Sequence, residues 1–123
     1  MADTPPPTGI AEFEHFREKM NAAIFAADNL VVNRFFNLDS RTYEDGALSA
    51  KTKELLGLVA SLVLRCDDCI TYHVLQCHEE GVTKEEFFEA FSVGLVVGGS
   101  IVVPHLRRAV ARLQELGVVE RPG

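Results

Sequence analysis

The chain has 123 residues, 47% of them hydrophobic and 24% charged, with a formal net charge of −6. That length suits one domain able to bury a modest core without staples. The acidic balance argues against a nucleic-acid backbone or an anionic membrane as main partner, since both select basic patches.

The first nine residues, MADTPPPTG, are expected to be a frayed, flexible proline-rich start, because proline fixes extended geometry and donates no N–H. They lack the basic start and apolar core of a secretory leader. Residues 10–123 are expected to form a single helical domain. Phe13, Phe16, Met20, Ile24 and Phe25 recur mostly at three- and four-residue steps, which predicts a helix from Ile10 to about Ala27. Asp28 or Asn29 can cap a second helix through Phe36. Leu38 to Leu48 holds Asp39, Ser40, Asp45 and Gly46 and reads as a connector.

Ser49 is an N-cap candidate for a strong helix over Lys51 to Leu64, with Leu55, Leu58, Val59, Leu62 and Val63 inward. Arg65 follows, where a cation suits the helix dipole. The next helix starts near Cys66, carries Asp67 and Asp68 in its first turn, and closes at Gly81 as a left-handed cap. Thr83 and Glu86 match a capping box for a helix from Lys84 to Gly98-Gly99. A last helix is predicted from about Ser100 to Leu116, with Pro104 in its first turn and Gly117 closing it.

No strand pattern emerges apart from an ambiguous stretch over Leu95 to Val103. The fold class is therefore all-α, a compact arrangement of five or six helices joined by short loops. The longest apolar run, Phe91 to Pro104, falls short of the roughly 20 residues a membrane span needs. Its glycine-rich part, Val93 to Val103, is more than so small a chain need bury alone. It reads as core or a subunit interface.

Chemistry concentrates in Cys66-Asp67-Asp68-Cys69-Ile70-Thr71-Tyr72-His73. Three- and four-residue steps return to one helix face, so Cys66, Cys69 and His73 share a stripe. Two thiols that can form a disulfide, with a base beside them, are the parts of a thiol redox centre. Residues i and i+3 at a helix start can meet the roughly 7 Å Cα limit of a disulfide. The free N–H groups there stabilise a thiolate, whereas Asp67 and Asp68 oppose it. An antiparallel helix pair turning near Arg65 would bring Glu54 beside the second helix, where a carboxylate could orient His73. Taken alone, Glu54 reads as a surface charge paired with Lys51. Three cysteines, an odd and small number, argue against a secreted disulfide scaffold and for a reducing, cytoplasmic setting.

A zinc site built from Cys66, Cys69, His73 and Cys77 fails on geometry. Along one helix, Cys66 and Cys77 lie about 16 Å apart, too far for ligands of one metal. Cys77 reads as a small buried hydrophobe. His15 and His105 have no motif around them, and His105 reads as a solvated face or a subunit contact. No phosphate-binding or nucleophile-elbow pattern occurs, so neither metal nor cofactor is expected.

The spacing Glu54-x11-Cys66-x2-Cys69-x3-His73, followed by Gly81-Val82-Thr83-Lys84-Glu85-Glu86, resembles the carboxymuconolactone decarboxylase and alkylhydroperoxidase D superfamily. The segment from Asp45 to Ser61 is similar to its entry into the active-site helices. The resemblance implies an all-helical fold that assembles as a homotrimer or homohexamer. In the thiol branch it implies reduction of a small hydroperoxide through a Cys66–Cys69 disulfide, recharged by an external dithiol. By position, Cys69 would attack, His73 and Glu54 would relay its proton, and Cys66 would resolve the sulfenic acid. The residues themselves leave Cys66 open as a second candidate for the low-pKa thiol. True decarboxylases of the superfamily lack the cysteine pair, which argues against decarboxylation of a small cyclic acid. A non-enzymatic redox-sensing oligomer is the other alternative. Relatives often carry a histidine or an aromatic residue where this chain has Asp68, whose charge acts to raise a thiol pKa.

Overall fold

The computed structural model describes residues 9–123, so the proline-rich start lies outside the described residues except for Gly9, which opens the first helix. Six α-helices follow in order: α1 (Gly9–Ala26), α2 (Leu30–Thr42), α3 (Ala50–Leu64), α4 (Asp67–Glu79), α5 (Lys84–Gly98) and α6 (Val103–Glu115). A short 3₁₀ turn over Ser100–Val102 leads into α6. No strand occurs among the described residues, and the ambiguous stretch Leu95 to Val103 is helix, 3₁₀ turn and helix start. None of these helices is long and apolar enough to cross a membrane.

Local chemistry accounts for most of the boundaries. The Asn29 side chain accepts from the Val32 N–H at 3.0 Å, and Ser49 Oγ from the Thr52 N–H at 3.1 Å. Each satisfies a donor that the first helical turn leaves unpaired. Thr83 and Glu86 form the reciprocal capping box, at 3.2 and 2.9 Å. Gly81 and Gly117 take left-handed backbone, φ 80° and 77°, directly after α4 and α6.

Two expectations are corrected. Helix α2 does not stop at Phe36 but runs on to Thr42. Residues 37–42 carry turn-favouring side chains, yet Ser40 and Thr42 bond back to the carbonyls of Phe36 and Leu38 at 3.2 and 2.8 Å, so their hydroxyls are accommodated within the helix. Arg65 stands at the end of α3, as its sequence position suggested, as a left-handed cap at φ 61° with its N–H directed to carbonyls of the last turn. The last helix begins with a 3₁₀ turn rather than as continuous α-helix from Ser100.

The core lies among α3, α4, α5 and α6. Leu58 and Leu62 meet Ile70, Val74 and Cys77, with Phe87, Phe91, Val102, Ala109 and Leu113 closing the far sides. Helices α1 and α2 bury no residue completely. They are joined by an edge-to-face contact of Phe25 and Phe36, 5.0 Å between ring centres. Helix α1 is tied at its start, where the Ile10 N–H donates to Glu115 at the end of α6. Large apolar side chains stand open on four helices: Phe16 and Phe25 on α1, Val31 and Phe35 on α2, Leu56 and Leu64 on α3, and Val96 and Val97 on α5.

Candidate active site

The site is built where α3 and α4 pack antiparallel across the two-residue turn Arg65–Cys66. Glu54, in the second turn of α3, and His73, in the second turn of α4, meet there. His73 Nδ1 lies 2.8 Å from Glu54 Oε1, and both residues are buried, at 8% and 4% exposure. Glu54 is therefore not a surface charge paired with Lys51. Lys51, in the first turn of α3, instead pairs with Glu86 at the start of α5, at 3.0 Å. Burial raises the Glu54 carboxyl above its ordinary pKa, and the bond to His73 pulls it back down. With Glu54 ionised, His73 Nδ1–H donates to it and Nε2 keeps the free lone pair, which is the tautomer a general base requires.

Three neighbours hold the imidazole in place. The rings of Tyr43 and Tyr72 lie 5.4 and 5.2 Å from it, centre to centre. On the third side is Gly57. A Cβ built there would fall 2.5 Å from His73 Cε1 and 2.7 Å from Nε2, so the absence of a side chain lets the ring lie against α3. Burial also raises the phenolic pKa of both tyrosines. The Arg17 guanidinium of α1 stacks 4.5 Å from the Tyr72 ring centre, a cation–π contact that closes one wall of the site.

The cysteines stand at the start of α4. Cys66 is the N-cap residue, and its Sγ accepts the Cys69 N–H at 3.3 Å. Cys69 is exposed, Cys66 half-buried, and both are free thiols. Desolvation pushes the Cys69 thiol up to about 11, aided by its hydrogen bond to Cys66, the Cys66 charge and the Asp68 carboxylate. Cys77 is fully buried, as a small hydrophobe, and burial pushes its thiol to about 12. Helix α4 is unbroken from Asp67 to Glu79, so Cys66 and Cys77 stay far apart. No cluster of three or more potential metal ligands occurs among the described residues.

A cavity of about 690 Å³ opens over this centre, with Phe13, Phe16 and Met20 of α1 on one wall and Cys69, Tyr72 and His73 on the other. Cys66 does not line it. That volume is in the range of small-molecule sites. The four residues singled out in the sequence thus fall into two contacts, Glu54 with His73 and Cys66 with Cys69, one helical turn apart. Gly57, Tyr43, Tyr72 and the α1 wall carry no motif. A glycine interrupting an otherwise apolar helix three residues after Glu54 is the one sequence signal that pointed to close packing there. His105 does not stand on a fully solvated face: its Nδ1 lies 2.8 Å from Asp67 Oδ1, inside the dithiol motif.

An all-helical fold with a buried carboxylate–histidine pair beside a dithiol defines a compact class of helical proteins. The chain belongs to the carboxymuconolactone decarboxylase family, whose model matches residues 29–112. It is 57% identical to TM1620 of Thermotoga maritima, a family member described in connection with an antioxidative response. One crystal structure of that protein superposes with a TM-score of 0.82 over 86% of this chain and 90% of the other. A family protein of Legionella pneumophila, 23% identical, shares the fold at a TM-score of 0.73 over 85% of this chain and 96% of its own. "Uncharacterized protein 4 in cox locus" of Paracoccus denitrificans is 33% identical over 82 residues, 67% of this chain and 74% of that protein.

Proposed function

We propose that the protein is a thiol-dependent oxidoreductase that reduces hydroperoxides, cycling a Cys66–Cys69 disulfide with a Glu54–His73 proton relay. The observation that carries this reading is the buried 2.8 Å Glu54–His73 bond one turn from the one cysteine that lines the cavity. A thiol held near 11 is almost wholly protonated at neutral pH, so it needs a base, and His73 supplies one. Membership of a family in which a relative is described in connection with an antioxidative response supports the same class of activity.

His73 takes the Cys69 proton, and the thiolate attacks the terminal peroxide oxygen. The O–O bond breaks, Cys69 becomes the sulfenic acid, and the alkoxide leaves as the alcohol with the proton from His73. The Cys66 sulfur then displaces hydroxide from Cys69, giving the disulfide and water. The Cys66 Sγ, 3.3 Å from the Cys69 backbone nitrogen, supports this step, since a disulfide needs the two residues close together. An external dithiol exchanges onto the disulfide and leaves oxidised, restoring both thiols. Glu54 stabilises the imidazolium between the two proton transfers.

The working form is proposed to be a homotrimer or homohexamer in the cytoplasm. The many large apolar side chains left open on α1, α2, α3 and α5 support assembly, since subunit contacts cover such surface. Light scattering at micromolar concentration checks it, and a monomer refutes it. The activity test is hydroperoxide consumption with a dithiol reductant. Turnover in the wild type that vanishes in Cys69→Ser and in Cys66→Ser supports the reading; turnover that survives both substitutions refutes it. A Cys66–Cys69 disulfide that forms and reduces without turnover would favour a redox sensor instead, a reading that the raised Cys69 thiol and Asp68 also suit.

A further inference from the structure

Two histidine–carboxylate pairs flank the start of α4, and the reaction above uses one. The second joins Asp67, the first residue of α4, to His105 on α6, with Nδ1 donating to Oδ1 at 2.8 Å. Arg108, one turn further along α6, places its Nη1 3.5 Å from the other Asp67 oxygen. The His105 side chain is 19% exposed and that of Asp67 42%, so the contact is sheltered but not dry.

The two aspartates of the dithiol motif therefore meet different fates. Asp68 is exposed, forms no ion pair among the described residues, and bears directly on Cys69. Asp67 adjoins Cys66 in the chain, yet its carboxylate is directed to α6, where a histidine and an arginine converge on it. A carboxylate left beside a thiol disfavours the thiolate and slows its chemistry. One turned away onto an imidazole and a guanidinium of α6 does so far less.

We propose that His105, seconded by Arg108, is a positioning residue of the dithiol: it turns the Asp67 carboxylate onto α6 and shields Cys66 and Cys69 from its charge. The proposal rests on the thiol reading of the site and adds to it a residue with no motif in the sequence. The other titratable or charged groups around the dithiol are Asp68 and His73 on α4, Asp39 on α2 and Tyr43 at its end, Arg17 on α1 and Arg112 on α6 in the cavity wall and, behind His73, Glu54 on α3. None of them is altered in the variants that test the idea.

The test is the rate of iodoacetamide alkylation of Cys66 and Cys69 in the reduced full chain, resolved by peptide mass spectrometry at pH 7. His105→Ala frees the Asp67 charge and is expected to slow alkylation about tenfold, the effect of one pKa unit. Asp67→Asn removes the charge and is expected to match or exceed the wild-type rate. The double variant is expected to recover to within about twofold of Asp67→Asn. His105→Gln, which keeps a donor for Asp67, recovers part of the loss. A tether that merely fixes the helix start would slow both single variants and leave the double variant slow; that pattern overturns the proposal, as does an unchanged rate in His105→Ala. Alkylation needs no peroxide. The expected pattern in a protein without turnover would sink the peroxidase reading and leave the shielding in place.

Discussion

Replacing Gly57 with alanine is expected to separate activity from stability. The new Cβ would lie 2.5 Å from His73 Cε1 and 2.7 Å from Nε2, whereas carbon contacts settle at about 3.5–4.0 Å. The ring must therefore retreat by roughly 1 Å. Gly57 stands three residues after Glu54 on the same face of α3, so a ring pushed off Gly57 is pushed off Glu54 as well. Their 2.8 Å bond then stretches past the roughly 3.2 Å limit of a good hydrogen bond. Tyr43 and Tyr72, at 5.4 and 5.2 Å, leave the ring little room to escape sideways. Overpacking of this kind costs about 1–3 kcal/mol, while alanine regains about 1 kcal/mol of helix propensity over glycine. The fold is thus expected to lose only about 0–2 kcal/mol. Loss of an oriented base is expected to lower turnover about 100-fold, the lower end of general-base contributions. Urea unfolding read by circular dichroism gives the first number, and hydroperoxide consumption with a dithiol gives the second. A Gly57→Ala variant with full turnover and an intact Glu54–His73 bond in its crystal structure would refute the reasoning.

With its thiol near 11, Cys69 is ionised in only about one molecule in 10,000 at pH 7, so its alkylation rate is expected to climb about tenfold per pH unit past pH 9; a plateau below pH 9 refutes this. Asp68→Asn removes a charge that raises the thiol and is expected to speed alkylation about threefold at pH 7. For Cys77, burial raises the native pKa to about 12 from the ordinary 9.0, so the native state holds the proton more tightly than the unfolded chain. The associated stability is full below pH 9 and is lost as pH rises through about 12; between pH 8 and 11 the urea midpoint of Cys77→Ala is expected to fall less than that of the wild type, and parallel losses would contradict it. Arg65→Gly relieves a left-handed residue at φ 61° and is expected to gain about 0.5 kcal/mol after the entropic cost of glycine; a loss on urea unfolding would show that the arginine side chain itself matters.

The helices were legible because their signals are local. Asn29, Ser49 and Thr83 cap within three residues, Gly81 and Gly117 end helices by their own backbone, and the apolar spacing of α3 chooses its buried face. The exception is α2, where turn-forming side chains at 37–42 suggested a connector and the backbone continued as helix by turning those hydroxyls inward. The grouping of Cys66, Cys69 and His73 was also legible, since it lies within two turns of one helix. Glu54 was reachable only by assuming that α3 and α4 run antiparallel, and read alone it looked like a surface partner of Lys51. The sequence by itself thus determined the helical class, the caps and the dithiol stripe, all of which depend on residues a few positions apart. Only the tertiary structure decided that Glu54 is buried on His73, that Gly57 makes room for the ring, that α1 walls the cavity, and that His105, 38 residues from Asp67, reaches into the motif. Those contacts depend on how helices pack against one another, and neither spacing nor composition carries that information.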